Sequence, residues 1–253
     1  MLRQTFCHIP GIGAAAEKQL WEQGCDSWET LLAHPNDFTY SNAGRDMAVR
    51  TVEQSQEALA RGEHQFFRKS LGLNNAWRAW PEFRSSCVYL DIETDGTNAG
   101  NAVTMVGLYD GEKFQCLVKG NDLQNFLDVI SHYSMIVTFF GSRFDLPMLE
   151  KRFKGFTFDH LHMDLCFALR DIGYKGGLKK IEKQLGISRG DDTDGLTGLD
   201  AVRLWRQHQL GIESALERLI AYNREDVVNL ETISEIAYKG LKGKTMPVQP
   251  RLL

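Results

Sequence analysis

No run of apolar residues in the 253-residue chain approaches the roughly 20 needed to span a bilayer. The sequence therefore predicts no membrane helix and no membrane partner. The N-terminal stretch Met1-Leu-Arg-Gln-Thr-Phe-Cys-His-Ile-Pro-Gly-Ile-Gly lacks the apolar core of a secretory signal, so the expected location is cytoplasmic. Cysteine is sparse and scattered. Cys7, Cys25, Cys87, Cys116 and Cys166 form no CxxC pair, which argues against a thiolate zinc site or a redox dithiol and fits free thiols in a reducing compartment. Positive charge is short as well: 29 Lys and Arg against 33 Asp and Glu give a net charge of −4. Proteins that coat nucleic acid non-specifically are usually basic. A site built from carboxylates remains compatible with that balance, because bound cations would offset part of its charge. Internal repeats and low-complexity tracts are absent too.

Four zones follow from the patterning. Residues 1–62 read as a small all-α region, with helices expected over 14–23, 27–33 and 44–60. Residues 63–84, with Phe66, Phe67, Trp77, Trp80 and Pro81, break that pattern and read as a linker packed on a neighbour; Leu71-Gly-Leu-Asn-Asn has the composition of a turn. From residue 85 the pattern changes. Cys87-Val-Tyr-Leu-Asp-Ile-Glu is a short β-prone run, and two further runs flank Asp110-Gly111, a favourable hairpin turn. A helix over 123–131, a buried strand over 135–140 and helices over 146–153, 164–171, 177–185, 199–210 and 212–238 complete an α/β domain spanning 85–240. The predicted architecture is a mixed sheet covered by helices. Residues 241–253 read as a flexible tail.

The sharpest local feature is Leu90-Asp91-Ile92-Glu93-Thr94. Carboxylates at i and i+2 of a strand point to one face, and two like charges held together are costly unless a cation lies between them. Hard divalent ions such as Mg²⁺ or Mn²⁺ suit such oxygen ligands. Asp145 follows the next buried strand, where an aspartate can cap a helix and still face a metal. Tyr222 and Asp226 stand four apart on the last helix and share a face, next to the apolar positions Leu219, Val227, Leu230 and Ile233. Three acidic elements in this order point to one shared site.

Leu90-Asp-Ile-Glu-Thr, Phe144-Asp145-Leu-Pro and Tyr222-Asn-Arg-Glu-Asp226 resemble the three motifs of DEDD nucleases, over roughly residues 85–240. The tyrosine at position 222, with Ala221 where a histidine variant carries His, matches the tyrosine subtype. The chain looks most similar to bacterial YprB-like exonucleases of ribonuclease-H-like fold, which are related to the proofreading domains of family B polymerases. The resemblance implies a ribonuclease-H-like sheet and 3′→5′ hydrolysis of DNA or RNA at a single-stranded 3′ end, with two Mg²⁺ or Mn²⁺ ions held by Asp91, Glu93, Asp145 and Asp226. Tyr222 would orient the attacking water, with the cations rather than the phenol activating it. Thr94, Phe144 and Lys179 would contact the nucleic acid. Phe140 departs from the pattern, which often has asparagine there. That departure and the three intact motifs leave a second reading, a nucleic-acid-binding module with a weakened or inactive nuclease site.

Lys151, Arg152, Lys154, Lys175, Lys179 and Lys180 offer positive charge for phosphates, as they would on any solvated helix surface. His160 and His162 lack the fuller ligand set of a zinc site, and Asp164 reads as a support for the sheet or the ligand residues. At the N-terminus, His8-Ile-Pro-Gly-Ile-Gly followed by a helical run resembles half of a helix-hairpin-helix module. In that resemblance the turn Gly11-Ile12-Gly13 would grip a phosphate through backbone N–H groups. A glycine-rich turn of a small helical domain explains the same residues.

Overall fold

The computed structural model describes residues 1–40, 42–97, 99–190 and 192–246. Cys87–Thr94 (β1), Val103–Tyr109 (β2) and Phe114–Val118 (β3) form the antiparallel part of a five-stranded sheet. Asp110 sets the β2–β3 turn: its carboxylate accepts the N–H groups of Glu112 and Lys113 at 3.0 and 2.7 Å, and Gly111 takes φ 99°, open to glycine without steric cost. Met135–Thr138 (β4) joins the other edge of β1 in parallel, and Leu161–Asp164 (β5) lies parallel to β4. The order is β3-β2-β1-β4-β5, the mixed sheet expected from the pattern. β5 goes beyond that expectation. It has only four residues, two of them polar, too short for period-two patterning to register.

Strand alternation divides β1 between two cores. Val88, Leu90 and Ile92 face the side covered by Phe126–Ile130 (α5) and Asp145–Arg152 (α6), packing among Phe126, Ile130, Met148 and Leu149. Cys87 and Tyr89 face the other side, where Leu165–Asp171 (α7), Leu178–Leu185 (α8), Gly198–Gln209 (α9) and the 33-residue helix Glu213–Thr245 (α10) lie. Asp91 and Glu93 continue the parity of Cys87 and Tyr89, which aims both carboxylates at α10. The helices are numbered here from the N-terminal region, where Ala14–Glu22 (α1), Trp28–Ala33 (α2), Arg45–Ala60 (α3) and His64–Leu71 (α4) precede the sheet.

Two stretches differ from the sequence reading. The expected linker 63–84 is mostly helical, carrying α4 and a 3₁₀ helix Leu73–Ala79, because its apolar residues are core: Phe67, Leu71, Ala76, Trp77, Trp80 and Phe83 are all buried. The expected tail begins inside α10, which runs to Thr245, with Leu241 buried; residues 247–253 lie outside those described. Trp77 meets the Tyr238 ring of α10 edge-on at 6.0 Å and Trp80 meets it tilted at 5.7 Å, so the N-terminal helices and one face of the sheet share a single core. No helix among the described residues is long and apolar enough to cross a membrane.

A buried ion pair fastens the N-terminal region. Glu17 of α1 accepts the N–H groups of Phe6 and Cys7 at 2.6 and 3.0 Å, and Arg78 donates to both of its oxygens at 2.8 Å. Both side chains are almost fully buried. Removing one partner of such a pair leaves a buried charge unopposed, at a cost of about 3–5 kcal/mol. Arg78→Met is therefore expected to lower stability by about that amount in chemical denaturation, and adding Glu17→Gln to it should recover part of the loss. A single-variant cost under about 1 kcal/mol, the range of a surface pair, would show that the pair does not fasten this region.

Candidate functional site

Register places the first acids. Asp91 pairs with Gly107 of β2, Glu93 pairs with Met105, and the strand is irregular after Glu93. α10 reaches this point because Gly107 has no side chain: a Cβ there would lie 1.7 Å from Asn223 Oδ1. Asn223 Nδ2 donates to Asp91 Oδ2 at 3.0 Å and sits 3.5 Å from Glu93 Oε1. Three residues on, one helical turn brings Asp226 to the same face. One ligand oxygen each from Asp91, Glu93 and Asp226 falls within a 4.8 Å group. Glu93 and Asp226 are buried and Asp91 half-buried. Beside them opens a cleft of about 320 Å³ lined by Asp91, Phe139, Lys179, Lys180, Thr197 and Asp226, among others.

Asp145 is placed differently. It opens α6 and is buried, and its Oδ1 accepts the Ile92 N–H at 3.1 Å. It stands outside the three-carboxylate group, yet its charge is the largest of the neighbouring charges that raise the Asp91 pKa. The helix cap open to it at the sequence level is not made, since Phe144 holds the cap position without a side-chain bond, and the Asp145 carboxylate instead accepts a strand N–H beside the acids.

The electrostatics follow from burial first and mutual repulsion second. Desolvation, then the charges of Asp145, Asp226 and Glu93, holds the Asp91 carboxyl well above the usual range. Glu93 is pushed up to about 8 by burial and by Asp226, and Asp145 to about 7, mainly by burial. Asp226 is raised by burial although two cations pull it down. Those cations are Arg189 and Lys179. Arg189 Nη2 donates to Asp226 Oδ1, while its Nε and Nη2 hold the two oxygens of Glu182 at 2.8 Å each. Asn229 of α10 steadies Glu182 at 2.8 Å. Lys179 Nζ donates to the Tyr222 hydroxyl and lies 4.0 Å from Asp226. Burial and the surrounding carboxylates hold the Tyr222 phenol far above its ordinary pKa, so it stays a neutral hydroxyl.

Other expected residues are placed less uniformly. Thr94 ends β1, with its hydroxyl accepting the Gly96 N–H at 3.4 Å. Phe144 is exposed at the start of α6. Asp164 caps α7 through the Cys166 N–H and also binds the Phe140 N–H and the Ser142 N–H and hydroxyl, which makes it a support of the β4–α6 turn. His160 and His162 are buried in and beside β5, against the Ile130 carbonyl and the Thr138 hydroxyl. Among the described residues they join no metal-binding group. At the N-terminus, the Ile12 side chain is buried in the core. Gly11 adopts φ 89° with the Ala43 backbone 3.1 Å from where its Cβ would stand, while Gly13 caps α1 in extended backbone with open space. Arg189, Glu182 and the role of Asn223 escaped the sequence reading. Asn223 was within reach, being three residues before Asp226, but Arg189 lies in a loop with no periodic pattern.

A family model described as the RNase_H superfamily matches residues 88–238. A solved family B DNA polymerase from the hyperthermophilic archaeon Pyrobaculum calidifontis is similar at 17% identity and a TM-score of 0.44, over 62% of this chain and 24% of the polymerase. The chain thus spans about a quarter of that protein's length. No curated protein sequence matches significantly.

The raised Glu93 pKa has a consequence for metal-free protein. The fold keeps a proton that the unfolded chain releases near 4.5, so this contribution to stability is complete below that pH and is lost as pH rises to about 8. In EDTA, the melting temperature of Glu93→Gln relative to the parent should climb between pH 5 and 8, by at least about 2 °C. Comparing variant with parent cancels the opposite trend of the buried histidines. A difference flat in pH would remove Glu93 from the repelling group.

Proposed function

The chain belongs to the RNase H superfamily, and within it we propose a metal-dependent 3′→5′ exonuclease that hydrolyses phosphodiester bonds at a single-stranded end of DNA or RNA. The observation that carries this reading is the group Asp91, Glu93 and Asp226, held within 4.8 Å. Among the described residues, the hydrogen-bond partner of Asp91 and Glu93 in this group is the neutral Asn223 amide. Buried acids facing one another with an amide between them fit a hard divalent cation. Asp91, Glu93 and Asp226 would hold two Mg²⁺ or Mn²⁺ ions, with Asp145 in support. Such ions, when bound, supply Lewis acidity toward the phosphodiester and activation of water. The direction of attack and the tyrosine subtype rest on the likeness of the three motifs to DEDD nucleases.

The chain's own groups have definable tasks. Tyr222, a neutral phenol held by Lys179, orients water rather than taking its proton. Lys179, at the cleft wall beside Asp226, meets a phosphate oxygen as a point charge. Arg189 holds Asp226 through its Nη2. The same guanidinium favours a second reading, a nucleic-acid-binding module with a weakened nuclease site, because it occupies one oxygen of a proposed ligand.

The decisive assay is digestion of 3′- and 5′-labelled DNA and RNA oligomers with Mn²⁺. A 3′ label should leave first, as mononucleotide. Asp91→Asn and Asp226→Asn should each lower the rate more than about 100-fold, beyond the effect of outer-shell partners, and should abolish the rise in melting temperature with free Mn²⁺. Tyr222→Phe should lower the rate about 100-fold or more and keep that rise. A parent protein that gains stability from Mn²⁺ but cleaves nothing would favour the second reading, and one indifferent to Mn²⁺ would defeat the metal site altogether.

The N-terminal hairpin is a further part of the proposal, as a backbone grip on phosphate resembling half of a helix-hairpin-helix module. The exposed Gly13 at the start of α1 supports it. Gly11 is unsuitable for a test, since its left-handed backbone is strained by any side chain. At Gly13 a side chain meets open space, so Gly13→Val should fold normally and weaken binding of duplex and single strands alike, by about tenfold for one lost charge-assisted contact. Equal anisotropy isotherms for variant and parent at fixed salt would leave the hairpin a structural cap.

A further inference from the structure

The turn between β4 and α6 carries a conformation that its sequence does not favour. Phe140 is the non-glycine residue with positive φ among the described residues, at 66°. A bulky side chain in that region is a genuine outlier, and such outliers persist where the surroundings over-determine them. Here Asp164 does so. Its Oδ1 accepts the Phe140 N–H at 2.8 Å and its Oδ2 takes the Ser142 N–H and hydroxyl at 3.0 and 2.6 Å. The Phe140 carbonyl accepts the Arg143 N–H at 3.1 Å. The clamp holds an aromatic ring out in solvent, 47% exposed.

The ring does not stand alone. Phe167 of α7 lies 6.2 Å away, inclined by 31°, and the Arg170 guanidinium sits 4.9 Å from the Phe167 ring centre. Next to them is a cleft of about 440 Å³ whose walls include Trp77, Arg143, Phe167 and Asp171. The turn is also continuous with the carboxylate site. Phe139, one residue earlier, lines the cleft of Asp91 and Asp226, and Asp145 follows five residues on. Exposed aromatic faces beside arginines are what single-stranded nucleic acid requires, because each base offers a π-face and each phosphate a charge. Arg143 and Arg170 are both exposed and supply that charge against the single free acid of the cleft wall, Asp171; Asp164 is already saturated.

We propose that Phe140, Phe167 and Arg170 form a stacking shelf for an unpaired nucleobase of the strand entering the carboxylate site, with Arg143 and Arg170 facing its phosphates. This rests on the nuclease reading and narrows its substrate to strands whose bases are free. Bases inside a duplex are stacked on one another and do not present a face to the shelf.

The test measures binding by fluorescence anisotropy at fixed salt, with Ca²⁺ in place of Mn²⁺, using a thymidine 12-mer, an abasic strand of equal length and charge, and a blunt duplex. Phe140→Gly keeps the turn, since glycine adopts the left-handed region without steric cost, and removes the ring; Phe167→Leu keeps an apolar residue on α7. Each variant should weaken binding of the thymidine strand about 5- to 30-fold and leave the abasic strand and the duplex unchanged. Arg170→Gln should weaken both single strands and lower the salt dependence. Losses that are equal on abasic and base-bearing strands, or absent in both ring variants, overturn the shelf. If Phe140→Gly fails to fold, Phe167→Leu alone decides. Mn²⁺-dependent hydrolysis by the parent, run in parallel, separates the two claims: hydrolysis with unaffected ring variants defeats the shelf only, whereas a parent that neither binds nor cleaves any strand defeats the nuclease reading with it.

Discussion

Carboxylates gathered away from water repel one another, and much of this architecture serves to hold them together. Asp91, Glu93 and Asp226 come from a strand and a helix separated by more than a hundred residues. Burial raises all three toward neutrality, and repulsion within the group adds to it at Asp91 and Glu93, while Arg189 and Lys179 pull Asp226 the other way, so the Asp91 and Glu93 end is destabilising at neutral pH unless positive charge joins it. The packed structure around it overcomes that penalty. Gly107 lets α10 come close enough for Asn223 to bond Asp91, and the apolar stripe Val227, Leu230, Ile233 and Ala237 anchors the same helix in the core.

Compensation of charge is uneven across the site. Arg189 and Lys179 crowd Asp226, and Glu182 and Glu225 flank Arg189 in turn, with Asn229 donating to Glu182. Asp91 and Glu93 have an amide instead. The protein's own cations therefore sit at the Asp226 end of the group. The β4–α6 turn follows Phe139, which lines the cleft with Asp91 and Asp226, and Asp164 holds that turn from β5. One carboxylate thereby fixes the backbone around Phe140, caps α7 and sets the approach to Asp145.

The N-terminal region belongs to the same mechanical unit as the sheet. Its helices lack a core of their own; Trp77, Trp80 and Tyr238 join them to α10, and the Glu17–Arg78 pair closes the region from inside. The stretch 63–84 looked like a linker because its apolar residues follow no single helical or strand period. It does pack on its neighbours, as a helical layer lying chiefly against β5 and reaching Tyr238 of α10 through Trp77 and Trp80.

What the sequence by itself determined is whatever periodicity controls. Alternation along β1 decides that Asp91 and Glu93 share a face, the four-residue interval puts Tyr222 and Asp226 on one side of α10, and Asp110-Gly111 makes the hairpin that brings β2 beside β1. Those relations are local, fixed by backbone geometry before any packing occurs. Only the tertiary structure decided which acids group together, that Asp145 bonds the Ile92 amide, and that Arg189, 37 residues from Asp226, would reach it. These depend on the course of aperiodic loops and on close approach at Gly107. Side chains brought together across such distances obey no spacing rule, since their positions are set by how the elements pack.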